Sequence, residues 1–177
     1  MISSEDYCHY LQKRSYFGLL YRKYWLYPKL CSYLNGHVLD VGCGIGDFLR
    51  FRPNTTGVDV NKTTVEFCQS EGLDARIMYD DKLPFGDSVF DGVILDNVLE
   101  HVNEPNELLF DIQRVVKKNG VFIVGVPGCR GFDYDPDHKK FYDDESLVLT
   151  VSMFGFTPLK IIYAPIKSKW LDLNLRQ

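Results

Sequence analysis

The chain has 177 residues, and its 20 Lys and Arg against 24 Asp and Glu give a net charge of −4. Hydrophobic residues make up 45% and charged residues 25%, an ordinary globular composition that argues against disorder, collagen-like repeats and a disulfide mini-protein. The length suits one domain with a core of its own, the acidity argues against a nucleic-acid binder, and no apolar run approaches the ~20 residues of a membrane span.

Residues 1–6 lack the basic start and apolar stretch of a signal peptide. Five cysteines, at 8, 31, 43, 68 and 129, include no CxxC and read as reduced thiols of a cytoplasmic protein. The histidines at 9, 37, 101 and 138 form no ligand pairs with them, so no metal site is expected.

In chain order, residues 1–35 form a first zone, holding seven of the eleven tyrosines with Lys13, Arg14, Arg22, Lys23 and Lys29 interleaved. Phe17, Leu20, Tyr21 and Tyr24 recur at helical spacing, which predicts one or two helices ending between Pro28 and Leu34. Two readings stay open: an aromatic helix packed on the core, or a lid over a pocket. The basic residues also leave room for peripheral contact with a membrane surface.

Residues 36–177 form the second zone, where short apolar runs alternate with helical patterns. Val38–Val41 is a predicted strand followed by a glycine-rich turn, and Thr56–Val60 is a second strand, after which Asn61 opens a helix. Strands follow at 75–78 and 90–95. Pro105 starts a helix with Leu108, Leu109, Ile112, Val115 and Val116 on one face, which Asn119-Gly120 terminates. A strand at 121–126, a helix from Asp144 to Phe154, and two last strands near 157–163 and 166–173 complete seven. Strand–helix alternation with near-continuous apolar strands implies an α/β, Rossmann-like, doubly wound sheet, mostly parallel.

The chemistry starts at Val38-Leu39-Asp40-Val41-Gly42-Cys43-Gly44-Ile45-Gly46-Asp47. Glycines between a strand and a helix let a ligand approach the backbone. A dinucleotide GxGxxG needs glycine where Asp47 stands, and a P-loop needs Lys-Ser/Thr. An aspartate at the helix start would also repel a pyrophosphate, so the turn suits a nucleoside without phosphates. Asp59 ends the second strand 19 residues after Asp40, where an acidic residue takes ribose hydroxyls in doubly wound sheets; capping the next helix is the other reading.

These residues resemble the class I S-adenosylmethionine-dependent methyltransferases, of the type 11 kind, over about residues 36–163. VLDVGCGIGDFL is similar to the family's first motif and GVDVN to its second. Leu83-Pro84-Phe85 with Phe90-Asp91, the segment Leu99-Glu100-His101-Val102, and the run Arg114 to Gly120 match three further segments, with Asn119 where the family has proline. The resemblance implies a seven-stranded sheet with its last strand antiparallel. It implies a cofactor site of Asp40, Gly42, Cys43, Gly44, Asp59 and Val60, with adenine near Tyr79, Asp80 and Asp81. Asp96 and Asn97 would lie beside the sulfonium and the methionine portion.

In this reading His138, after the fifth strand, is a candidate base, or pins its loop by a hydrogen bond; His101 is a second candidate base, or orients its helix. Tyr134, Tyr142 and Arg130 are placed to shape an acceptor pocket. The function implied is methyl transfer to a small-molecule acceptor, an oxygen of a sugar or related metabolite of surface-glycan biosynthesis. Alternatives are a lipid or quinone acceptor, or a cofactor-binding partner subunit without turnover.

Overall fold

A computed structural model describes residues 16–79 and 82–163. The described residues open on a helical stretch of α1 (Tyr16–Tyr21), a π-helical turn (Arg22–Leu26) and α2 (Tyr27–Cys31). Then follow β1 (Val38–Val41), α3 (Asp47–Phe51), β2 (Thr55–Asp59), α4 (Lys62–Ser70), β3 (Ala75–Ile77) and β4 (Phe90–Asp96). A 3-10 turn (Leu99–His101), α5 (Asn106–Val115), β5 (Val116–Gly125), α6 (Cys129–Tyr134) and α7 (Asp144–Ser152) complete the described elements.

The five strands form one sheet in the order β3-β2-β1-β4-β5, with every neighbouring pair parallel. β1 sits centrally, in register Asp40↔Gly57 with β2 and Asp40↔Ile94 with β4. Parallel strands end at one edge, so β1, β2, β4 and β5 bring the loops after them to the same side, where ligands bind in open α/β sheets.

Local chemistry explains the helix boundaries. Asn61 caps α4, its Oδ1 accepting the Thr63 N–H at 2.9 Å. Asp143 and Ser146 form a reciprocal capping box at the start of α7. Helix α5 buries Leu108, Leu109, Ile112 and Val115 against the main core around Leu39, Val58, Phe90, Val93 and Leu95.

The LPF segment is explained by one arginine. Arg114 Nε donates to Asp111 Oδ1 at 2.6 Å, and its Nη1 donates to Phe85 O at 2.8 Å and Asp87 Oδ1 at 2.9 Å. Asp111 in turn accepts the Leu83 N–H at 2.6 Å. The clamp ties residues 83–87 to α5 and seats Leu83 and Phe85 on the core.

The sequence expectation needs three corrections. The described sheet has five strands, not seven. Residues 157–163 run as irregular chain; Pro158 offers no N–H to a ladder, and Leu159 is left 87% exposed. The other expected strand, near 166–173 and antiparallel, lies outside the described residues. Helix α5 also stops at Val115, short of Asn119-Gly120, because β5 begins at once at Val116 and takes a kink where Asn119 adopts φ 64°.

Of the N-terminal zone, residues 16–35 are described, and part of them packs on the core. Tyr27 is buried with Leu34, Val38, Phe48 and Ile94, its ring edge-on to Phe48 at 5.2 Å, so α2 belongs to the core. Tyr16, Phe17 and Tyr24 stand exposed. Among the described residues no helix is long and apolar enough to cross a membrane.

Candidate functional site

The turn after β1 requires its glycines. Gly42, Gly44 and Gly46 have φ of 77°, 52° and 79°, a left-handed region costly for any residue with a Cβ. At Gly42 a Cβ would also run into Val98 Cγ2, so this glycine answers to packing against the loop after β4. Cys43 is buried with its side chain against Gly57 and in the cluster of Leu49, Val65, Cys68 and Ala75, while its N–H donates to Val58 O at 3.0 Å and its C=O accepts the Gly46 N–H at 2.9 Å.

Three aspartates meet beside this turn. Asp40 is 6% exposed, and burial first, then the charges of Asp96 and Asp59, push its carboxyl up to about 8 from an ordinary 3.8. Asp59 is 7% exposed; its Oδ2 accepts the Gly44 N–H and its Oδ1 the Asn61 N–H, both at 2.8 Å. Burial raises its pKa while those backbone donors oppose the rise. The cap of α4 is Asn61, so the capping reading of Asp59 does not hold; its carboxylate instead ties the glycine turn to the N-cap residue through these two backbone donors. Arg22, from the π-helical turn, lies with Nη1 3.8 Å from Asp96 Oδ2, so the N-terminal zone reaches the site.

The donor set selects a ligand. Three converging carboxylates repel phosphates and favour a ligand with positive charge and hydroxyl donors. S-adenosylmethionine carries an ammonium, a sulfonium and a ribose diol without phosphates, and the residues present fit it.

The other expected cofactor residues divide. Val60 and Tyr79, 64% and 67% exposed, flank the end of the sheet beyond Asp59. Asn97 is exposed at φ 55°, its N–H donating to Gly125 O at 2.9 Å, which ties the ends of β4 and β5 together. Asp80 and Asp81 lie outside the described residues.

The two candidate histidines meet, at a ring-centroid distance of 4.7 Å. His138 Nδ1 lies 2.8 Å from Phe132 O, and His101 Nδ1 lies 3.3 Å from Asp137 O. A carbonyl only accepts, so Nδ1–H is the donor in each ring and the neutral ring carries its lone pair on Nε2. The N–H groups of Lys139 and Lys140 donate to Glu100 O, which fastens the His138 loop onto the 3-10 turn. His138 Nδ1 thus anchors its loop, and Nε2 faces Glu100 Oε1 at 3.8 Å.

Glu100 is the residue that sequence reasoning missed. It is 1% exposed, and burial above all, with the nearby charges of Asp96 and Asp135 adding to it, pushes its carboxyl up to about 7. Tyr142 is buried too, its pKa raised by burial and by Glu100. The signal was present, because Glu100 adjoins His101 in the same segment, but burial of a glutamate is a tertiary property. Arg130 and Tyr142 border a trough of about 1600 Å³ along β5, which also takes in Asp96 and Trp25. Such a volume exceeds the ~300–1,000 Å³ of ordinary ligand pockets. The site is therefore marked by the converging carboxylates rather than by this trough.

A parallel sheet with a glycine turn after its central strand and acidic residues at the ends of its neighbours defines the Rossmann-like class of nucleoside-cofactor folds. Residues 39–124 match the methyltransferase domain family, in agreement with the resemblance to class I S-adenosylmethionine-dependent methyltransferases. An uncharacterized protein of Methanocaldococcus jannaschii is 38% identical over 134 residues, 72% of this chain and 56% of that protein. Sterol 4-C-methyltransferase strm-1 of Caenorhabditis elegans is 35% identical over 120 residues, 61% of this chain and 36% of that enzyme. The chain thus spans about a third to just over half of these relatives. A crystal structure of an S-adenosylmethionine-dependent methyltransferase of Thermotoga maritima, described as a possible histamine N-methyltransferase, superposes with TM-score 0.70 at 21% identity. It covers 86% of this chain and 80% of its own, and shows the shared fold.

Proposed function

We propose that the chain transfers a methyl group from S-adenosylmethionine to an oxygen of a small-molecule acceptor, a sugar or related metabolite. The observation that carries this is the meeting of Asp40, Asp59 and Asp96 at the glycine turn, with Glu100, His101 and His138 at the neighbouring strand ends. The cofactor supplies a methyl group on positively charged sulfur, already activated for in-line displacement.

The chain's own residues hold and align. Asp40 takes the ammonium group, directly or through water, and Asp59 takes the ribose diol. The turn of Gly42, Cys43 and Gly44 lets the cofactor approach the backbone closely, and Asp96 and Asn97 border the methionine portion. Val60 and Tyr79 flank the nucleoside, with Asp80 or Asp81 assigned to the adenine amine. Alignment of this kind supplies roughly 7–11 kcal/mol of a barrier. Proton removal from the acceptor falls to the histidine cluster, in which His138 Nε2 carries the lone pair and faces Glu100 Oε1 at 3.8 Å. Residues 16–35 and the loop 127–142 form the acceptor side.

One observation favours a second reading. Tyr16, Phe17 and Tyr24 are exposed beside Lys23, which suits an apolar acceptor such as a sterol or quinone. A screen with methyl-labelled cofactor against sugar nucleotides, sterols, quinones and amines separates the two. Label on a sugar oxygen is expected. Label only on sterol or quinone replaces the acceptor, and cofactor binding with no transfer to any class points to a non-catalytic subunit.

A further inference from the structure

Sequence reasoning expects no metal site because it pairs histidines only with cysteines. The fold assembles a different set. Glu100 and His101 come from the 3-10 turn after β4, and His138 comes from the loop after β5. One ligand atom from each lies within 4.8 Å of the others.

We propose that Glu100, His101 and His138 bind a first-row divalent transition-metal ion at the C-terminal ends of β4 and β5. The inference rests on the function proposed above and refines it: an ion on His138 Nε2 would take up the lone pair to which proton removal was assigned, and a water bound to the ion would serve as the base in its place.

Four observations carry it. The first is an unmet carboxylate: neither Oε1 nor Oε2 of Glu100 has a hydrogen-bond partner among the described residues, although the side chain is 99% buried. A buried carboxylate left so is costly unless a cation or donors reach it. The second is spacing. His138 Nε2 stands 3.8 Å from Glu100 Oε1, too far for a hydrogen bond. Ligands at ~2.0–2.1 Å from a tetrahedral ion stand about 3.3–3.5 Å apart, so the pair closes on an ion with a shift of about half an ångström.

The third is the tautomer. Both histidines spend Nδ1–H on backbone carbonyls, of Phe132 and of Asp137. That leaves Nε2 with the lone pair, and a carbonyl on the second nitrogen is the usual support of a metal-ligating histidine. The fourth is rigidity: the Lys139 and Lys140 N–H bonds to Glu100 O hold the two ligand-bearing segments together.

The ligand chemistry selects the metal. Two imidazoles and one carboxylate suit zinc, cobalt, iron or nickel, whereas magnesium favours sets of oxygens. Three protein ligands leave at least one position open, the pattern of catalytic rather than structural sites.

The test uses the full chain, stripped with a chelator and titrated with Co²⁺ while its visible absorption is read. One saturable equivalent with a d–d spectrum typical of nitrogen and oxygen ligands is expected, displaced by Zn²⁺ and not by Mg²⁺. Glu100→Gln and His138→Gln should each weaken Co²⁺ binding about 100-fold or more. His101→Gln, at a less buried position, serves if either of those fails to fold by circular dichroism. Cys129→Ser should leave binding unchanged.

No saturable spectrum, an intense thiolate charge-transfer band lost in Cys129→Ser, or equal affinity in the ligand variants would overturn the site. Methyl transfer that persists after all metal is removed sinks this inference and leaves the methyltransferase reading standing. Metal binding without any S-adenosylmethionine binding does the reverse.

Discussion

Replacing Asp40 by Asn should stabilise the protein and weaken its cofactor binding at the same time. Asp40 is buried beside Asp59 and Asp96; Arg22 eases its charge, while the Cys68 thiol adds to the repulsion. Its folded pKa of about 8 stands above the ordinary 3.8. The unfolded chain therefore loses this proton near pH 4 while the folded chain keeps it. The stability associated with the protonated carboxyl is whole below pH 4, declines as pH rises, and is fully lost above about 8.

At ~1.4 kcal/mol per pH step, the span from 3.8 to about 8 sets an upper bound of about 6 kcal/mol. Asparagine has the same shape and no charge. Urea unfolding without ligand should show Asp40→Asn about 3–6 kcal/mol more stable than the parent at pH 8.5, and indistinguishable from it at pH 4. Calorimetry should show S-adenosylmethionine bound at least tenfold more weakly by the variant, because the ammonium loses its carboxylate. In the parent, affinity should rise with pH up to about 8, since binding to the ionised form must first expel the proton. A variant destabilised equally at every pH would refute the electrostatic reasoning.

Asp59→Ala removes the acceptor of the Gly44 and Asn61 N–H groups as well as the ribose ligand. Cofactor affinity should fall by at least about tenfold and the unfolding free energy by about 2–4 kcal/mol, read by calorimetry and urea titration. Gly42→Ala sets a methyl against Val98 in a left-handed turn, and thermal unfolding should report a loss of about 2–4 kcal/mol. Arg114→Ala opens the clamp on residues 83–87; a loss of about 2 kcal/mol is expected from a partly exposed site, with cofactor affinity little changed. His138→Ala should lower turnover while the Kd for S-adenosylmethionine stays near normal, and full activity would remove the histidine from proton transfer.

The parts legible in the sequence are those whose causes are local. The glycines at 42, 44 and 46 announce a turn that only positive φ can make, Asn61 announces a cap, and the apolar face of α5 announces its packing. The strand expected near 157–163 was not legible, because apolar residues there predict burial without saying whether a ladder partner is in reach. Asn119-Gly120 reads as a helix stop, yet the chain had already entered β5. The carboxylates at 40 and 59 were visible as types at a spacing, while the repulsion that lifts Asp40 depends on Asp96, 56 residues away. Glu100 was passed over for the same reason: only the folded loop brings His138 against it.

The central claim is that the turn after β1 and the aspartates beside it hold S-adenosylmethionine. Calorimetric titration of the full chain at pH 8 with S-adenosylmethionine and, separately, with NAD tests it directly. The account predicts saturable one-to-one binding of the methionine cofactor and no heat from NAD. Binding of NAD with none of S-adenosylmethionine would contradict it.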